Sequence, residues 1–280
     1  NNAFKKDYLE QEKENLKNLI ESRMNDKVQY AVDRCLEVMC SDEPFGILEY
    51  GSVEDLKAID EKNLYEYYKV FTETLPLSVF ITGETTENNL EYIKDKLKDF
   101  GRGTTKTLNR EVIHKDIGNV REVTDRMSVS QAKLSLGFRT LISPSDDKYY
   151  TLLVYNGILG GGLHSKLFQN VREKASLAYY AFSRLEKFKG LMVVSSGIEV
   201  QNKEKAYNII IEQLNEIKEG NISDYEFDST IKSIETGIKS LKDSQLQMVD
   251  FYLSQFICNT NDNFESLIEK VKKVTRQDVV

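Results

Sequence analysis

The chain has 280 residues, 40% of them hydrophobic, and 38 Lys and Arg against 45 Asp and Glu give a formal charge of −7. That length and apolar content predict one large or two ordinary domains with cores of their own and exclude a disordered chain. A pI of about 5.2 without any Lys/Arg-dense stripe argues against nucleic acid as a partner. Apolar runs such as 191–194 and 209–211 fall far short of the ~20 residues a membrane span needs, so no membrane partner is expected. Cys35, Cys40 and Cys258 are odd in number and read as reduced core thiols, which predicts a cytoplasmic setting. Neither an initiator Met nor an apolar signal segment opens the chain, and it closes inside what reads as a starting helix, so a portion of a longer polypeptide is expected.

In chain order, residues 4–39 carry an amphipathic helical pattern that Pro44 and Gly46 end. Short helices are predicted over 53–59 and 63–71, a strand over 77–82 closed by Gly83, and a helix over 88–100. The apolar period then disappears, and Gly101, Gly103, Thr104, Thr105 and Thr107 make 101–120 the expected linker. Beyond it, Ala132, Leu134, Leu136 and Phe138 alternate with polar residues as a half-buried strand does. A helix over 146–159, a glycine break, and a short helix over 165–172 lead to a hairpin of 177–185 and 190–199. A helix over 203–219 ends at Gly220, and Ser223 with Glu226 forms a capping box opening a long helix to about Phe256.

The two halves resemble each other. Ser52 to Leu64 aligns with Leu267 to Val279 at an offset of 215 residues, with Ile59 over Val274 and Asp60 over Thr275. The same offset lays the helix from Tyr8 over the helix from Ser223. Together they predict a duplicated domain whose first copy lacks roughly its first hundred residues: 1–100 the end of the first copy, 121–280 most of the second, truncated at its C-terminus.

The densest local signal is Tyr155 to Ser183, YNGILGGGLHSKLFQNVREKASLAYYAFS. A glycine turn followed by SKLFxxVREKxSLAYY closely resembles the second half of the pitrilysin/insulinase zinc metallopeptidases, the inverzincins, whose first half carries an H-x-x-E-H helix. FKKDYLEQEKENLKNLIES, DEPFGILEYGSVEDLKAI and ISDYEFDSTIKS extend the resemblance over nearly the whole chain, and it is strongest to the bacterial noncatalytic-partner subgroup. The resemblance implies an α+β fold of duplicated domains, each an antiparallel sheet with helices packed on one side. It also implies peptide substrates and a homodimer, or a heterodimer with a zinc-bearing homologous chain. A subunit that keeps the fold without the chemistry is the alternative.

Within the motif, Arg172 lies near the end of a short helix and Tyr179 seven residues later opens a strand. A guanidinium and a phenol in one cleft can hold a peptide carbonyl or a developing oxyanion, and the resemblance implies that these two bind substrate opposite the zinc. Read alone, Arg172 can equally pair with a nearby acid and Tyr179 be a strand aromatic. Gly160, Gly161 and Gly162 permit positive φ and a loop that admits a peptide, or else cap a helix. Glu14 and Glu21, two helical turns apart, match the family's acidic pair, in which the second residue is the third zinc ligand; read alone they are solvated face residues. Catalytic zinc needs three protein ligands, and this chain has only His114 and His164, fifty residues apart. No cofactor is therefore expected in this chain alone and no catalytic residue within it. Glu21 would become a ligand, with Glu14 supporting it, only beside a histidine pair upstream, so zinc belongs to the full-length protein or a partner. His164 reads as a surface or capping residue.

Overall fold

A computed structural model describes residues 2–98, 103–108, 113 and 118–280. In chain order its main elements are α1 (Lys6–Ser22), α2 (Lys27–Met39), α3 (Val53–Lys57), α4 (Glu61–Thr74), α5 (Glu87–Lys98), β1 (Ala132–Arg139), α6 (Tyr149–Gly160), β2 (Ala178–Glu186), β3 (Leu191–Ile198), α7 (Lys203–Lys218), α8 (Asp224–Ser240), α9 (Gln245–Cys258), α10 (Phe264–Lys273) and α11 (Arg276–Val279), with a π-helix, Phe168–Lys174, between α6 and β2. The class is α+β. The chain forms two compact units, Asn1–Asn25 with Ile47–Arg110, and Asp26–Gly46 with Glu111–Val280.

The first unit is helical. Among its described residues the buried apolar ones are Leu9 and Leu56, Phe4 sets its ring 5.6 Å from both Tyr65 and Tyr68, and the Lys13 ammonium donates to the Ile59 carbonyl at 2.8 Å. Over 77–82, where the strand is expected, the described residues carry no ladder assignment, and Leu77, Val79 and Ile81 are exposed.

The second unit holds an antiparallel sheet in the order β1-β3-β2, in register Leu136 to Val194 and Ser183 to Val194. Central β3 is buried along its whole length. On one face Leu134, Leu136, Met192, Val194 and Ala181 pack with Val154, Ile158 and Leu159 of α6, and Ile210, Ile217 and Ile222 extend this core. On the other face α2 lies against β1, where Gly137 leaves room for Cys35 and Met39: a Cβ there would fall 2.7 Å from the Met39 sulfur. Glu43, just beyond α2, is buried between Arg139 and Lys189, whose ammonium lies 2.6 Å from it.

Two expected helices are broken. The 4–39 pattern stops after Ser22 because Asp26 accepts hydrogen bonds from the Val28 and Gln29 amides, both 3.0 Å, and so starts α2 afresh. The helix from Ser223 ends at Ser240 because Ser244 caps α9 in the same way. These breaks improve the internal repeat. A 17-residue helix, a three-residue 3-10 turn and a side-chain-capped helix recur as α1 to α2 and α8 to α9. The aligned Asp60 and Thr275 both carry capping boxes, at the starts of α4 and α11.

Candidate functional site

The stretch from Gly160 to Tyr180 is where the backbone departs most from regular geometry. After α6 the chain turns at residues 161–165 and then widens into the π-helix, closed by the Ala175 amide donating to the Asn170 carbonyl at 3.2 Å. Single π turns of this kind concentrate at functional sites. Ser176 follows with φ 51°, a left-handed conformation that is costly for a residue with a Cβ. Next, β2 opens with a bulge: Ala178 faces Ile198 and Tyr180 faces Gly197, which leaves Tyr179 as the extra residue.

The bulge gives two adjacent tyrosines different fates. The Tyr180 ring packs on Gly197, where an added Cβ would come 2.5 Å from it, its hydroxyl is 3.3 Å from the Ser195 hydroxyl, and burial raises its pKa. Tyr179 is 60% exposed. Arg172 on the π-helix is exposed too, its guanidinium 4.7 Å above the Phe168 ring and its Nε 3.7 Å from the neighbouring Glu173 carboxylate. A surface ion pair at that distance is weak, so the guanidinium rests on an aromatic shelf and remains free to engage a partner. Phe168 was invisible as a site residue from sequence, although its four-residue spacing from Arg172 is the signal that could have shown it.

None of Gly160, Gly161 and Gly162 adopts positive φ. Gly161 is the C-cap of α6, and Gly160 is buried against β2, where a Cβ would lie 2.2 Å from the Ser183 nitrogen. Close approach is what the first glycine supplies, and it is to the sheet. His164 corrects the surface assignment: it is 8% exposed, with Nε2 2.9 Å from the Thr230 hydroxyl, and burial lowers its pKa against the opposing pull of Glu226. His114 lies outside the described residues.

Glu14 and Glu21 are both exposed on α1, Glu14 sitting 3.7 Å from Lys17. The unit that contains them has no histidine in its sequence, and among the described residues no three His, Cys, Asp or Glu side chains are placed to hold a metal ion. Two carboxylates fall short of the three protein ligands that a catalytic zinc needs.

A family model described as the peptidase M16 inactive domain matches residues 58–234. The chain belongs to the M16 peptidase family. This is the pitrilysin-type resemblance carried by Tyr155 to Ser183, and the match is to the family's inactive domain. A probable inactive metalloprotease of Bacillus subtilis is 35% identical over 278 residues, 99% of this chain and 65% of the relative. An uncharacterized zinc protease of the same organism is 23% identical, covering 82% of this chain and 56% of that one. Among solved structures, a conserved protein of Enterococcus faecalis is 30% identical with a TM-score of 0.87, matched over 99% of this chain and 65% of its own. An M16 inactive domain from Pseudomonas fluorescens shares the fold at 17% identity and a TM-score of 0.80, over 99% of this chain and 66% of that one. The chain thus spans 56–66% of the length of these relatives. No helix among the described residues is long and apolar enough to cross a membrane.

Proposed function

We propose that this chain is the peptide-binding, noncatalytic portion of a pitrilysin-like zinc metallopeptidase or of its inactive partner subunit, and that it forms a chamber wall opposite a zinc site it does not contain. Residues 1–100 then represent the end of a first α+β domain and 121–280 most of a second. The zinc site belongs to another part of the polypeptide, where Glu21 would serve a histidine pair, or to a homologous partner chain in a homo- or heterodimer. Cytoplasmic residence accords with three free thiols.

One observation carries the reading: the π-helix, the left-handed Ser176 and the β-bulge fall together between Arg172 and Tyr179 and leave both side chains exposed. Strained backbone of this kind costs about 1–3 kcal/mol per residue and persists where a site needs it. A guanidinium on an aromatic shelf and a free phenol supply hydrogen-bond donors for the carbonyls of an extended peptide. Gly160 serves by letting α6 end close against β2, and Gly161 and Gly162 continue the turn that leads to the peptide-binding stretch. The test is fluorescence anisotropy of a labelled, unstructured 15-residue peptide with the full-length protein and its zinc-bearing chain. Arg172→Ala and Tyr179→Phe are each expected to weaken binding with unchanged thermal melts. Wild-type binding by both variants would overturn the proposal and leave a subunit that keeps the fold for assembly.

A further inference from the structure

The stretch from His164 into the π-helix that carries Arg172 is tied down by three long-range side-chain contacts, each to a helix residue more than forty positions away. His164 meets Thr230 of α8 at 2.9 Å. The Lys166 ammonium meets Glu226 of α8 at 3.0 Å, the two side chains only 7% and 14% exposed. Asn170 donates to Gln213 of α7, itself buried. Glu226 and Thr230 are four apart on α8 and so share one face. Thr230 is fully buried, and its methyl group fills the notch at Gly157 of α6, where a Cβ would approach it to 2.4 Å.

Glu226 is bifunctional. One oxygen accepts from the Ser223 amide and hydroxyl, both 2.8 Å, to complete the capping box of α8, and the other holds Lys166. Burying a lysine is expensive unless its charge is met. A hydrophobic residue at position 166 would fill the same space without that demand, whereas an ion pair fixes direction as well as depth. Resting on the reading of Arg172 as a peptide-gripping group, we infer that Lys166 and Glu226 are positioning residues: their buried ion pair, with His164 on Thr230 beside it, sets the angle at which the π-helix presents Arg172 to substrate. The contact to Asn170 fixes the middle of that helix, so the anchored stretch ends two residues before the guanidinium.

The perturbation that isolates the pair is Glu226→Gln, because glutamine still accepts from the Ser223 amide and keeps the α8 cap while removing the charge from Lys166. In the full-length protein with its zinc-bearing chain, Glu226→Gln and Lys166→Met should each raise the Kd of the labelled 15-residue peptide at least roughly twofold, the lower end for groups in one network. Lys166→Arg should restore wild-type affinity. In an Arg172→Ala background, Glu226→Gln should raise Kd no further. Equal loss in both backgrounds would show a structural role only and overturn the inference.

A second readout does not depend on the peptide. A spin label at Arg172→Cys, with the three native cysteines replaced by serine, should report restricted motion in the parent and faster motion with Glu226→Gln. An unchanged line shape overturns the positioning role while leaving the peptide-binding reading intact. Unchanged peptide binding by Arg172→Ala overturns that reading, whatever the label shows.

Discussion

Gly160→Ala tests the packing that sets the site on the sheet. An alanine Cβ at this position would lie 2.2 Å from the Ser183 nitrogen, 2.6 Å from its hydroxyl and 2.8 Å from the Phe182 carbonyl carbon, against 3.4–4 Å for ordinary contact. Two of these three obstacles are backbone, so no side chain can swing away, and α6 and β2 must separate by more than an ångström. Overpacking of this kind costs about 1–3 kcal/mol, and the backbone obstacles favour the upper end. Alanine recovers about 1 kcal/mol of helix propensity, for a net loss of about 2 kcal/mol. At roughly 2–4 °C per kcal/mol for a unit of this size, Tm falls by about 4–8 °C. Gly237→Ala is the control: it lies exposed in α8 with nothing within 4 Å of an added Cβ, so propensity alone acts and Tm rises by about 2–4 °C. Thermal melts by circular dichroism read both. A Gly160→Ala protein as stable as wild type, beside the expected rise at Gly237, would refute the close packing of α6 on β2.

Glu43→Ala removes a carboxylate that meets both Arg139 and Lys189, each almost fully buried, and is expected to cost about 3–5 kcal/mol in urea unfolding, since breaking a buried ion pair by removing one partner is strongly destabilising; a cost below 1 kcal/mol counts against the triad. His164 makes stability depend on pH. Its folded pKa is below 6.5 through burial, so the unfolded chain takes the proton first, and stability present above pH 6.5 declines as pH falls through that value; His164→Gln should flatten this part of the Tm profile, and an equally steep profile in the variant counts against a buried neutral imidazole. Burial pushes the Cys35 thiol up to about 11, so its alkylation by iodoacetamide at pH 8 should be much slower in the native protein than in urea, and equal rates would place Cys35 outside the interface of α2 with β1.

Much of this architecture is legible in the sequence because local chemistry and tertiary context agree. The alternation through Phe138 yields β1 over Ala132–Arg139, and Ser223 with Glu226 forms its capping box as expected. The offset of Asp60 over Thr275 holds because both residues do the same work, accepting amide hydrogen bonds at helix starts. What stays hidden depends on partners distant in the chain. The apolar period runs straight through Asp26 and Ser244, so only the capping geometry shows that new helices begin there. The π-helix and the Tyr179 bulge are absent from any local pattern, since they follow from how residues 164–170 dock on α7 and α8 and how β2 meets β3. His164 reads as a surface residue because its neighbours Gly162, Leu163 and Ser165 suggest a turn, while the burial comes from Thr230, sixty-six positions later.

The central claim is that Arg172 and Tyr179 act on a peptide while the zinc is supplied elsewhere. Its most direct test is steady-state kinetics on a quenched fluorescent peptide, using the full-length protein with its zinc-bearing chain and the variants Arg172→Ala and Tyr179→Phe. Loss of one oxyanion donor costs roughly 2.7–4 kcal/mol, ~100- to 1,000-fold in rate, and this is the upper bound for each variant. A lost ground-state grip raises KM with kcat unchanged, whereas a lost transition-state contact lowers kcat and kcat/KM together. The account predicts a fall in kcat/KM for both variants with folding intact; wild-type kcat and KM in both would contradict it.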